Sequence, residues 1–127
     1  MNTEISKHVE LFCNESKSIL IEIKKLSEFL VINRENKDLA TDIFIKLHDL
    51  KGYAKGMGFK AIESMTCSLH DVFRKVSDDE LILNSNILGD LKIGISILEQ
   101  LIKALESGEK VKYLIGKARL GEILGDF

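Results

Sequence analysis

Residues 38–57 have the sequence DLATDIFIKLHDLKGYAKGM, and their apolar pattern is helical. The apolar side chains recur every three or four positions: Ala40, Ile43, Leu47, Leu50, Ala54 and Met57. That spacing places them on one stripe of an α-helix, whereas a half-buried strand would alternate every second residue. Gly58 follows at the position where a left-handed residue commonly ends a helix. We therefore predict an amphipathic helix over about residues 38–57.

The same spacing occurs elsewhere in the chain. It predicts helices over about residues 3–31, 60–76 and 85–106, and a shorter fifth helix over about 111–125, where two glycines weaken the helix. An amphipathic helix of this kind is marginal in water, so the apolar stripes must pack together. Because the connections are short, we predict an all-α fold, an antiparallel up-and-down four-helix bundle with an added C-terminal helix.

Composition limits the possible functions. The 127 residues suit a single domain over 1–127, and the net charge of −2 with 6% aromatic residues argues against nucleic-acid binding. No apolar run approaches the roughly 18 residues of a membrane span, and the N-terminal residues lack the apolar stretch of a signal peptide. Two cysteines are too few for a disulfide framework. We expect a reduced, cytoplasmic protein that is monomeric as an isolated domain and requires no cofactor.

One surface of the predicted second helix carries residues that are suited to a chemical role. His48 lies about 100° round from Leu47, at the edge of the apolar stripe, and Lys51 and Gly52 follow one turn later on the same surface. A neutral imidazole is a nucleophile at physiological pH, and a nearby ammonium can stabilise the charge of a phosphoryl group. Gly52 is unfavourable inside a helix, but it leaves space for another protein to approach the imidazole. A surface histidine without a function is the ordinary alternative.

These residues are similar to a known family. HDLKG (48–52) followed by MGF (57–59) resembles the histidine phosphotransfer (HPt) domain, most closely the N-terminal phosphotransfer domain of the chemotaxis histidine kinase CheA. LFCNES (11–16) in the first helix and DELIL (79–83) before the fourth also fit that domain. The resemblance covers roughly residues 4–125.

The resemblance implies a function. His48 would be phosphorylated on Nε2, Lys51 would contact the phosphoryl group, and Gly52 would leave room for the partner. The phosphoryl group would come from ATP through the ATP-binding domain of a histidine kinase and would pass to an aspartate of a CheY-like response regulator. The chain alone would be a phosphoryl carrier and not a complete kinase, although it would be part of one as the N-terminal domain of CheA. Lys55 and Lys60 would extend a basic patch toward an acidic partner.

One position departs from the family. The family has a glutamate on the third helix that hydrogen-bonds the other ring nitrogen of the active histidine, and the matching residue here is His70. A neutral His70 can accept a hydrogen bond through its unprotonated nitrogen, without the charge of a carboxylate. Its neighbour Asp71 lies about 100° round the helix and is a poorer candidate for that contact.

Two other functions are compatible with the sequence. The first is a helical bundle that serves as an interaction or dimerisation module, a degenerate HPt domain in which His48 is unused. The second is a metal site built from Cys67, His70 and His48, for which a fourth ligand is not evident. His8 and Cys13 on the first helix have no supporting partners, and we interpret them as structural or surface residues.

Overall fold

The computed structural model describes residues 3–107 and 114–124, and this part of the chain is helical without a strand. The helices are α1 (Thr3–Ile32), α2 (Lys37–Met57), α3 (Lys60–Ser77), α4 (Ser85–Ser107) and α5 (Leu114–Leu124). The ends of α1 to α4 differ from the predicted ends by at most one residue. The predicted start of the fifth helix, near residue 111, and its predicted end at 125 lie outside the described residues.

The four long helices form an antiparallel up-and-down bundle, as predicted. Each packs against two neighbours, so that α1 contacts α2 and α4, and α3 closes the ring between α2 and α4. The ion pairs Lys17–Glu106, at 2.6 Å, and Lys24–Glu99, at 3.0 Å, show that α1 and α4 run in opposite directions. The shorter α5 lies against α3 and α4 at one side of the bundle.

The apolar stripes meet in the centre of the bundle. Buried residues include Phe12, Ile23, Leu30, Ala40, Ile43, Leu47, Leu50, Ala54, Ile62, Met65, Leu69, Val72, Val76, Leu91, Ile95, Leu98 and Ile102. Apolar residues at the margin of these stripes are half-buried, namely Val9, Ile19, Leu26, Met57, Leu88 and Leu105. The stripe predicted for α2 is therefore confirmed, with Met57 at its edge.

The connection between α2 and α3 is short because α2 ends sharply. Gly58 has φ 75°, a left-handed conformation that costs glycine little, and its N–H donates to the carbonyl of Lys55 at 3.1 Å. Phe59 N–H then donates to the carbonyl of Ala54, at 3.1 Å, and the Phe59 ring packs edge-on against Phe12. The chain therefore reverses within two residues, and α3 follows directly alongside α2.

Close packing around α4 depends on a glycine that the periodicity does not reveal. A Cβ atom at Gly94 would lie 2.9 Å from Leu69 Cδ2 and 3.3 Å from Leu120 Cδ1. Those contacts are tighter than an ordinary van der Waals approach, so Gly94 allows α3 and α5 to pack close to α4.

None of the helices in the described part of the chain combines the length and the hydropathy that a bilayer span requires. Cys13 and Cys67 are both free thiols, on α1 and α3 respectively. Cys13 is fully buried and Cys67 is half-buried.

Candidate functional site

The face shared by α2 and α3 has a fixed register. Thr41 Oγ1 and Ser77 Oγ are 2.7 Å apart near one end of the two helices. Two turns further along α2, His48 Nδ1 and His70 Nε2 are 3.4 Å apart. Since both contacts belong to the same antiparallel register, the packing of the two helices brings the two imidazoles together.

His48 is positioned for reaction with a group outside the bundle. Leu47 and Leu50 on either side are fully buried, while His48 itself is exposed at the flank of α2. Its Nδ1 is engaged by His70, and its Nε2 has no hydrogen-bond partner within the described residues. The predicted position at the outer edge of the helix is therefore observed. The nitrogen that faces solvent is Nε2, because Nδ1 is directed at α3.

Gly52 lies one turn after His48 on the same surface. It is exposed, and a Cβ atom added there would meet nothing within 4 Å. Neither a special backbone conformation nor internal packing therefore requires a glycine at this position. Because Gly52 has no side chain, the space beside the His48 imidazole is open.

Lys51 also lies on the face between α2 and α3. Three residues after His48 along α2, it is opposite Cys67 in the register, and its ammonium group opposes the rise in the pKa of that thiol. Lys51 forms no ion pair with any residue that the structure describes. Lys55 and Lys60 are exposed and are also unpaired within that part of the chain. These cations are available to an anionic group or an acidic surface from outside.

His70 is enclosed, in contrast to His48. It is 6% exposed, and the ring of Phe44 packs against it with a centroid distance of 4.7 Å. Its Nε2 faces His48, and its Nδ1 is 3.0 Å from Oδ1 of Asp71. His70 therefore contacts the other ring nitrogen of His48, as the resemblance implies for this position, and it has a carboxylate partner of its own.

The side chains around Cys67 bear on the metal-site alternative. Burial and the Asp71 carboxylate raise the pKa of Cys67, and its Sγ lies 3.8 Å from Oδ2 of Asp71. In residues 3–107 and 114–124, no three His, Cys, Asp or Glu side chains are grouped as a metal site requires. The geometry does not support the metal-site alternative.

Most of the predicted site residues meet on one surface. Two residues that contact His70 there were not predicted from the sequence. His48, Lys51, Gly52 and His70 share the α2–α3 face, whereas His8 is exposed on α1 and Cys13 is buried in the core. The missed residues are Phe44, which covers His70, and Asp71, which had been considered only as a partner of His48 itself. The position of Phe44, one turn before His48 on α2, was the available signal.

Comparisons with known proteins agree with this fold. No family model matches the chain. Among solved structures, the CheA phosphotransferase domain from Thermotoga maritima is similar, with a TM-score of 0.75 and 24% identity over 79% of this chain and 95% of that domain. A computationally redesigned four-helix bundle is also similar, with a TM-score of 0.75 and 14% identity over 78% of this chain and 97% of that one. The chain therefore has the four-helix-bundle fold of the CheA phosphotransferase domain.

Proposed function

We propose that this chain is a histidine phosphotransfer module of a two-component signalling system. His48 accepts a phosphoryl group from ATP through the ATP-binding domain of a histidine kinase and passes it to an aspartate of a CheY-like response regulator. A chemotaxis pathway in the cytoplasm is the setting that the likeness to CheA favours. The chain acts as a monomeric phosphoryl carrier, and the kinase activity belongs to its partner.

One observation carries this proposal, namely the exposed His48 imidazole, whose inner nitrogen is held by a buried side chain. The 3.4 Å contact between His48 Nδ1 and His70 Nε2 fixes the ring and leaves Nε2 directed outward. An orienting partner on one nitrogen and an accessible second nitrogen is the arrangement expected of a nucleophilic imidazole. An incidental surface histidine has no need of such a partner.

The chemistry follows from this geometry. His48 Nε2 attacks the γ-phosphorus of ATP, the P–N bond forms, and the P–O bond to ADP breaks as ADP leaves. In the second transfer, a carboxylate oxygen of the regulator attacks the same phosphorus and the P–N bond breaks. Lys51 stabilises the negative charge of the phosphoryl oxygens in both steps, since electrostatic stabilisation and positioning dominate such reactions.

A second function is favoured by one comparison. The redesigned four-helix bundle matches this chain with the same TM-score as the CheA domain. The backbone alone therefore does not decide between the two functions, because fold does not imply function. In this alternative the chain is an interaction or dimerisation module, and His48 carries no phosphoryl group.

Phosphorylation assays separate the two functions. The chain is incubated with the isolated ATP-binding domain of a CheA-type kinase and ATP labelled in the γ-phosphate. We expect a label that is lost in acid and retained in alkali, as a phosphoramidate should be, and that moves to a CheY-like regulator when one is added. An unlabelled protein, with a CheA phosphotransfer domain labelled in parallel, would favour the interaction module.

Removing the Lys51 charge should slow both transfers. We expect Lys51→Gln to lower the rate of His48 phosphorylation at least about tenfold, because one charged contact to a phosphoryl group contributes roughly 1.5–3 kcal/mol. The rate is measured in single-turnover labelling. Lys25→Gln, which removes an exposed ammonium on α1, is the matched control and should leave the rate unchanged. Equal rates in the two variants would exclude the role of Lys51.

Restoring the family's carboxylate should have the opposite effect. We expect His70→Glu to phosphorylate His48 about fivefold faster than the natural protein, because a charge-assisted hydrogen bond is worth about 1 kcal/mol more than a neutral one. The two proteins are compared side by side with the same kinase domain. An equal or faster rate for the natural protein would contradict this expectation.

A further inference from the structure

Three polar side chains form a hydrogen-bonded series that leads from solvent into the α2–α3 interface. His48 Nδ1 meets His70 Nε2 at 3.4 Å, and His70 Nδ1 meets Asp71 Oδ1 at 3.0 Å. We propose that Asp71 is a positioning residue that sets the tautomer of His48 through His70. The kinetic consequence rests on the proposed function, whereas the tautomer itself does not.

The assignment follows from what each atom can donate. An ionised carboxylate only accepts hydrogen bonds, so the proton between His70 and Asp71 belongs to Nδ1 of His70. A neutral imidazole carries one proton, and His70 Nε2 is therefore an acceptor. The proton between the two imidazoles must then belong to Nδ1 of His48. Nε2 of His48, the nitrogen that faces outward, is left with its lone pair free.

The surroundings keep Asp71 and His70 in this arrangement. The second carboxylate oxygen of Asp71 accepts from the Cys67 thiol, at 3.8 Å, and the high pKa of that thiol keeps its proton in place. The Phe44 ring covers His70, which is 6% exposed. The orientation of His70 is therefore determined by packing as well as by hydrogen bonds. Residues that do not contact the reacting group commonly orient the residue that does in this way.

Asp71 thus supplies a charge that a histidine at position 70 cannot. Without the carboxylate, His70 could carry its proton on Nε2 and donate it to His48 Nδ1. His48 would then hold its own proton on Nε2, where attack on phosphorus requires a lone pair. Asp71, which lies about 100° round α3 from His70, therefore acts on His48 through the His70 imidazole and not by direct contact.

The tautomer is measured without a kinase, by nitrogen NMR of the ¹⁵N-labelled chain at about pH 8, where an ordinary imidazole is neutral. In the natural protein we expect His48 to carry its proton mainly on Nδ1. In Asp71→Asn we expect a large shift toward the Nε2–H form, because an amide can donate to His70 as well as accept. Asp78→Asn, which removes an exposed carboxylate just after the C-terminal end of α3, should behave as the natural protein does. A His48 proton mainly on Nε2 in the natural protein would overturn the proposal, even if a variant failed to fold.

A double-mutant cycle tests the path through His70. We expect Asp71→Asn to slow phosphorylation of His48 about tenfold in the natural background. Losing a residue that orients an active side chain through a hydrogen bond typically has an effect of about this size. In the His70→Glu background the same change should have no effect, because the carboxylate then contacts His48 directly. An equal loss in both backgrounds would overturn the relay. If no variant is phosphorylated at all, the proposed function fails, and the tautomer measurement still decides the inference.

Discussion

Replacing His48 with glutamine is expected to remove the phosphoryl label, a loss of at least about a thousandfold in the labelling rate. Glutamine retains the length and polarity of the side chain, but its amide nitrogen is not a nucleophile and cannot form the acid-labile P–N bond. Because His48 is exposed at the flank of α2, the change should leave the stability within about 0.5 kcal/mol of the natural protein. The measurement is labelling from ATP by a CheA-type kinase domain.

His8→Gln provides the matched control for this experiment. His8 is also exposed, but it lies on α1, away from the α2–α3 face. We expect its variant to be labelled at the natural rate. Label that persists in His48→Gln would mean that a different residue accepts the phosphoryl group.

Filling the space at Gly52 should separate stability from function. A helical side chain covers the surface over the preceding turn, so a leucine at this position would lie over His48. We expect Gly52→Leu to reduce transfer to and from partner proteins roughly a hundredfold, because small displacements of reacting groups cost that much. The same change should stabilise the bundle by about 0.5–1 kcal/mol, since Gly52 is exposed inside a helix and a Cβ meets no neighbour.

Gly56→Leu tests whether the position matters. Gly56 is also exposed on α2, and a Cβ there meets nothing within 4 Å, but a leucine would cover the turn around residue 52 and leave the imidazole open. We expect a similar gain in stability, measured by urea unfolding, with transfer within about threefold of the natural rate. Equal losses of transfer in the two variants would show that bulk at Gly52 is not the specific obstacle.

The fold was predictable because each helix repeats one unambiguous signal. Apolar residues at spacings of three and four define the stripe of every long helix, and the glycine at position 58 ends α2 where the pattern stops. The contribution of Gly94 was not predictable, because its role depends on how closely α3 and α5 approach α4. Such contacts arise only after the helices are packed.

The site was predictable along one helix and not between two. His48, Lys51 and Gly52 are neighbours on α2, so helical geometry alone places them together. The partnership of His48 with His70 came from the family resemblance, and the structure shows it as a contact between α2 and α3. Asp71 was missed as a positioning residue because its influence passes through the side chain of His70, a relation that sequence spacing does not express.

NMR of the phosphorylated ¹⁵N-labelled protein tests most directly whether Nε2 of His48 receives the phosphoryl group. We predict a phosphorus–nitrogen coupling at Nε2 of His48 and no such coupling at the ring nitrogens of His8 and His70. Phosphorus bonded to Nδ1 of His48, or to any other residue, would contradict the account.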